Sequence, residues 1–168
     1  MRFFRRRGKP TATPDPGASV AHHNVYGAPG FETTVRVEFS PENRARFTGI
    51  NRPEVSTTPA LSFTVEQTAR LLLGYAARDM DDKWTVFAED TSDGASVFFV
   101  RSWIGAIIFR LDVAIVHGAA TATALTWETD PAVLTAGDYE FATRTIVEIC
   151  HWMLRMDPPP VLSQAGPG

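Results

Sequence analysis

The chain has 168 residues, 44% hydrophobic and 21% charged, with 16 Lys and Arg against 19 Asp and Glu for a formal net charge of -3. A chain of this size buries roughly two thirds of its unfolded surface around one core, so a single domain is expected, and its one cysteine, Cys150, excludes an internal disulfide framework and a thiolate zinc cluster. No apolar run approaches the roughly 20 residues of a transmembrane helix, and "MRFFRRRGKP" is not followed by the apolar stretch of a secretory signal, so the expectation is a cytoplasmic protein with no transmembrane segment.

In chain order, a basic arm comes first. Arg2, Arg5, Arg6, Arg7 and Lys9 precede a Pro-, Gly-, Ala- and Thr-rich run ("KPTATPDPGASV", "GAPG") with little to bury, so residues 1–30 are expected to be disordered. Without these five cations, 11 remain against all 19 acids, and the body is acidic and repels nucleic acid. The arm, with Phe3 and Phe4 beside its charges, is either a device for contacting a polyanion or a solvated tail.

The stretch "TTVRVEFS" alternates Val35, Val37 and Phe39 against Thr34, Arg36 and Glu38, which predicts a half-buried strand. Ser40 as N-cap and Pro41 at the first helical position predict a short helix or turn ending near Gly49. "INRPEVSTTPA" reads as loop, interrupted by Pro53 and Pro59. Thr64 and Gln67 have capping-box spacing and open a helix expected to run to about Met80, with Val65, Ala69, Leu72, Leu73, Ala76 and Met80 on its apolar face.

Four strands are expected next: "WTVFAE", "SVFFVRSW", "AIIFRLDVAIV" and "TATALTWET". The spacers "DTSDG", Gly105 and "HGAA" are too short for parallel crossovers, which leaves an antiparallel meander. A final amphipathic helix, from Thr135 or Asp138 to about Met156, sets Tyr139, Ala142, Ile146, Ile149 and Met153 against a polar stripe of Glu140, Arg144, Glu148 and Arg155. The sum is an α+β two-layer sandwich, an antiparallel meander sheet packed against two main helices, over residues 31–157. "DPPPVLSQAGPG" suggests a disordered tail over 158–168.

One residue stands out. Strand alternation puts Val97, Phe99, Arg101 and Trp103 on one face, so a guanidinium shares its row with aromatic rings. An isolated buried charge costs several kcal/mol, so Arg101 must be paired or open onto a cleft. Either it grips an anionic group, with Trp103 and Trp84 as stacking walls and Ser102 beside them, or it pairs with Glu89, Glu148 or Asp112, or its head reaches water.

The other polar candidates have plainer readings. His22 and His23 lie in the arm without ligand-spaced partners, His117 is a turn residue beside Gly118, and His151 complements a helix C-terminus. Cys150 reads as a small buried hydrophobe. Asp79, Asp81 and Asp82 match no calcium loop and read as a solvated turn. With no phosphate loop, dinucleotide fingerprint, zincin helix or nucleophile elbow, no cofactor, metal set or catalytic residue is assigned, and the balance leans away from an enzyme.

Asp82-Lys83-Trp84, the acidic hairpin "AEDTSDG", Arg101-Ser102-Trp103-Ile104-Gly105 and the helix "AGDYEFATRTIVEIC" follow one another over about half the chain. In this order they resemble a group of small uncharacterised bacterial proteins with an Asp-Lys-Trp, Arg-Ser-Trp-x-Gly pattern, a strand and a terminal helix. The resemblance implies no known activity. Val100 stands where that pattern often has histidine, which argues against a His and Arg site.

Two functions remain open. The third strand is apolar on both sides, with Ile107, Phe109, Leu111, Val113 and Ile115 on one and Ile108, Ala114 and Val116 on the other, and one helical layer cannot cover both. This favours a non-catalytic bacterial protein-binding domain, accessory, immunity-like or regulatory, with a protein partner or self-association into a homo-oligomer. The alternative is a small-ligand-binding protein or enzyme that recognises a phosphorylated or nucleotide-like molecule through Arg101 and the tryptophans.

Overall fold

Short turns and alternating apolar residues between Trp84 and Glu128 produce the meander at the centre of this chain. The computed structural model describes residues 35–57, 59–79, 81–134 and 137–162. Its elements are α1 (Pro41–Arg44), β1 (Pro53–Ser56), β2 (Leu61–Phe63), α2 (Val65–Leu73), β3 (Trp84–Asp90), β4 (Gly94–Arg101), β5 (Ala106–Val116), β6 (Ala119–Glu128), α3 (Tyr139–Trp152) and β7 (Val161–Leu162). The strands pair antiparallel in the order β3-β4-β5-β6-β2-β7, and β1 takes the other half of the edge of β6 that β2 occupies. The fold is α+β, as its sequence predicts.

The hairpins are set by backbone chemistry. Gly94 lies so close to β5 that a Cβ there would sit 1.9 Å from the Val113 carbonyl oxygen, which leaves glycine as the residue that fits. Between β5 and β6, Val116 pairs with Ala119 across a two-residue turn, and both His117 (φ 51°) and Gly118 (φ 86°) take the positive φ of a primed hairpin turn. His117 is thus an exposed turn residue that bears a backbone cost. Substituting His117→Gly should raise stability by up to about 1 kcal/mol, read as a higher urea midpoint with unchanged slope.

Alternation then sorts the side chains. Val86, Val97, Phe99, Phe109, Leu111 and Leu125 are fully buried in a main core to which α2 contributes Leu71 and α3 contributes Ala142, Ile146, Ile149 and Cys150. The opposite face carries Phe87, Phe98, Val100 and Ile107. Period-two counting misplaces part of β5. Phe99 faces Phe109 but Val100 faces Ile107, so Ile108 is an extra, bulged residue; Ile108 joins Phe109 in the main core and Ile107 turns to the other side. A second bulge at Thr123 of β6 follows from Asp112 facing Ala124 while Val113 faces Ala122.

The second face is covered by the chain itself. Val37, Phe39, Phe47 and Ile50 pack on it, with Phe39 edge-on to Phe47 and Phe87 at 4.9 and 5.3 Å and Phe87 stacked on Phe98 at 5.0 Å. The segment predicted as the first strand is extended but, over its described residues, joins no ladder. Val37 gives its N–H to the Leu73 carbonyl, and Arg36 reaches the Ala88 carbonyl on the outer edge of β3. The inference of an uncovered face from the two-sided apolar character of β5 is corrected accordingly.

Other expectations also shift. The capping box forms as predicted, with Gln67 N–H on Thr64 Oγ1 and Gln67 Oε1 taking the Thr64 N–H. Yet α2 stops at Leu73 because Gly74 (φ 74°) presses against β3 and Tyr75 exchanges both backbone hydrogen bonds with Val86. Its buried side is Gln67, Thr68 and Leu71, whereas Val65 is 52% exposed. The predicted loop after Ile50 contains β1, with Pro53 at the strand's first position where a missing N–H is tolerated. In α3, Asp138 is the N-cap and the last helical residue is Trp152, short of Met156. Order continues beyond 157, since the Pro158 carbonyl accepts from Gln67 Nε2 and Val161–Leu162 pair with β2. The arm at 1–30 and the end of the tail lie outside the described residues. Among those described, no helix is long and apolar enough to cross a membrane.

Candidate functional site

Arg101 ends β4 directly opposite Trp84, the first residue of β3. Four residues then turn the chain into β5: the Arg101 carbonyl accepts from the N–H groups of Ile104 (3.2 Å) and Gly105 (2.9 Å), and Gly105 adopts φ 63°. This tight turn pushes Trp103 and Ile104 outward, 55% and 56% exposed. Trp84 is held from below by Phe109, whose ring stacks on it at 5.7 Å and 25°.

The guanidinium carbon of Arg101 lies 5.2 Å from the ring centroid of Trp84 and 5.2 Å from that of Trp103. Cation–π attraction of this kind is worth about 0.5–1 kcal/mol per contact at exposed sites, enough to orient the planar group between two indoles. Among the described residues Arg101 has no ion pair. Glu89 is taken by Arg44 (2.7 Å) and Asp112 by Arg110 (2.9 Å), and Glu148 is in no ion pair among the described residues. The structural-pair reading of Arg101 therefore lacks its partners, and the guanidinium's hydrogen-bonding edges remain for something else.

Of the residues marked by the sequence, Arg101, Trp84 and Trp103 come together. Ser102 does not join them. Its hydroxyl lies 3.3 Å from Thr85 Oγ1 on the alternate side of the strand, Thr85 Oγ1 accepts from the Ala77 N–H, and the Ser102 N–H goes to the Lys83 carbonyl.

A second polar place was not visible in the sequence. A cleft of about 230 Å³ opens between the extended segment and β3, lined by Arg36, Val37, Glu38, Phe39, Arg44, Phe87 and Ala88–Asp90. Arg36 binds Asp90 through both Nη atoms at 2.9 and 2.8 Å, and this pairing holds the Asp90 carboxyl below its usual range. Arg44 lies over the rings of Phe87 and Phe98 at 5.1 and 4.8 Å while its Nε donates to Glu89. These arginines are engaged with their neighbours, so the cleft reads as the fastening of the extended segment. The alternation of Arg36 with Val35 and Val37 was the one available signal, and nothing in it named Asp90.

The remaining candidates resolve into structural roles. Asp82 accepts from the Arg78 N–H (2.9 Å) and the Tyr75 hydroxyl (2.7 Å), and these bonds keep its carboxyl below the usual range. Asp79 accepts from the N–H groups of Asp81 and Asp82. Among the described residues no group of three His, Cys, Asp or Glu is placed to hold a metal ion. His151 Nδ1 lies 2.9 Å from the Met156 carbonyl, and burial pushes the Cys150 thiol far above its usual range. His22 and His23 lie outside the described residues.

Compared with known proteins, the chain matches no family model, no curated protein and no solved structure.

Proposed function

We propose that this chain is a cytoplasmic, non-catalytic protein-binding domain, built as a two-layer α+β sandwich, that makes its contact through the corner formed by Trp84, Arg101, Trp103 and Ile104. One observation carries the reading: a tight, hydrogen-bonded turn displays two large apolar side chains, each more than half exposed, beside a guanidinium that lies against two indoles with no acidic partner among the described residues. Trp and Arg are the residue types that dominate binding energy at protein interfaces, and their pre-ordering lowers the entropy lost on association. The support for a partner thus moves from the sheet face to the end of the β4–β5 hairpin.

A second reading is favoured by the same guanidinium, whose planar fork suits a phosphorylated or nucleotide-like ligand stacked on an indole. Two measurements separate the readings. In partner capture, the native chain should retain a protein that Trp103→Ala, folded by circular dichroism, retains at least about tenfold less, as expected for loss of an interface anchor. In a thermal-shift series with nucleotides and sugar phosphates, a rise seen with native protein and absent in Arg101→Ala would favour the small ligand. Equal retention by native and Trp103→Ala protein would sink the protein-binding reading.

A further inference from the structure

Charge around the corner narrows what its partner must be. The Arg101–Gly105 turn is flanked on one side by Lys83, exposed, whose carbonyl accepts the Ser102 N–H. On the other side runs Arg46, also exposed, whose backbone oxygen would lie 3.5 Å from a Cβ placed at Gly105, while the Thr48 N–H binds the Gly105 carbonyl. Among the described residues no carboxylate forms an ion pair with Lys83, Arg101 or Arg46, and the four ion pairs present all lie elsewhere.

That distribution is unusual for a chain in which acids outnumber Lys and Arg by 19 to 16. Of the acids nearby in sequence, Asp82 accepts from Tyr75 and Arg78 and Glu89 pairs with Arg44, while the exposed Asp81 and Glu42 form an ion pair with none of these three cations. The corner thus has Arg101 at its centre and two exposed cations, Lys83 and Arg46, on the backbone that flanks the turn carrying Trp103 and Ile104, and none of the three is in an ion pair among the described residues. Opposite charge steers encounter and fixes register, while the apolar pair supplies buried area.

From this charge pattern, and resting on the protein-binding reading above, we infer that the corner recognises an acidic segment of a partner protein: carboxylates set around one apolar residue. The carboxylates meet Lys83, Arg46 and the free edge of Arg101, and the apolar residue lies against Trp103 and Ile104. A free phosphate would satisfy the cations but leave that apolar pair without a counterpart, whereas an anionic lipid surface could take both and is the competing outcome that the vesicle arm below tests.

The experiment follows tryptophan emission of the full chain during titration with a short peptide of glutamates around one leucine. Parallel arms use the same peptide with lysine for glutamate, the glutamate peptide without leucine, inorganic phosphate, and vesicles of phosphatidylcholine with phosphatidylglycerol. The expected result is saturable binding of the acidic leucine peptide, weakening with added salt and at least about tenfold weaker for Arg101→Gln, with Lys83→Gln and Arg46→Gln each giving smaller losses. Circular dichroism on each variant separates lost binding from lost fold.

Equal response to the acidic and basic peptides, indifference to Arg101→Gln, or stronger response to phosphate or vesicles than to the acidic peptide would each overturn the inference. If capture still depends on Trp103 while the acidic peptide fails to bind, the protein-binding reading stands and only the acidic partner falls.

Discussion

Replacing Phe109 with alanine should cost about 3–5 kcal/mol of folding stability, the usual range for emptying a fully buried aromatic site. Phe109 is 0% exposed and touches two other rings, Phe99 edge-on at 6.3 Å and Trp84 stacked at 5.7 Å. It also sits beside the Ile108 bulge, where β5 cannot relax without losing register with β4. Because Trp84 rests on this ring, the substitution should loosen the wall behind Arg101 as well. Urea denaturation gives the energy, and acrylamide quenching of tryptophan emission reports the loosening. Phe109→Leu should keep most of the stability, losing under about 1.5 kcal/mol, yet still release Trp84. A cost for Phe109→Ala below about 1 kcal/mol would mean that the ring is not a core element.

Glu128→Gln should cost about 1–3 kcal/mol at neutral pH, and the loss should shrink in acid. Glu128 is 1% exposed, and its carboxylate accepts from the N–H groups of Asn51 (2.6 Å), Asp130 (2.8 Å) and Arg52 (2.9 Å). Burial alone would raise its pKa, but the backbone donors of Asn51, Asp130, Arg52 and Thr129 together outweigh it and hold the group below its ordinary value of 4.5. The depressed folded value fixes the sign. The unfolded chain binds the proton more readily, so the stabilisation is complete above about pH 4.5 and is lost as pH falls through the folded pKa. Urea midpoints of native and Glu128→Gln protein should therefore converge as pH drops from 7 towards 3. Parallel midpoints across that range would rule out this carboxylate as the source of the pH dependence.

Much of this architecture is legible in the residues. Thr64 and Gln67 announce their capping box, the turn residues between β3 and β6 announce the meander, and the row Val97, Phe99, Arg101 places the guanidinium beside aromatic rings. What escapes is set by distant contact. β2 and β7 are three and two residues long and exist only because β6 and β2 offer an edge, so no periodic run marks them. The bulge at Ile108 reverses the sides of Ile107 and Ile108, which a strict period of two cannot foresee. Helix α2 ends early because Gly74 must fit against the Val86 carbonyl, a demand made by tertiary packing. At the corner, residue types alone suggested Arg101, Trp84 and Trp103, but the lack of a carboxylate partner could be read only once Glu89 and Asp112 were seen holding Arg44 and Arg110.

The cover that Val37, Phe39, Phe47 and Ile50 provide has a temporal side. Synthesis delivers these residues before the surface they cover, and their seat on Phe87 and Phe98 leaves the ribosome only about fifty residues after Phe47. At roughly 5–20 residues per second, Phe39 and Phe47 wait in water for about 3–10 s. These rings thus precede their own seat, and during that interval they are the ones a chaperone would meet.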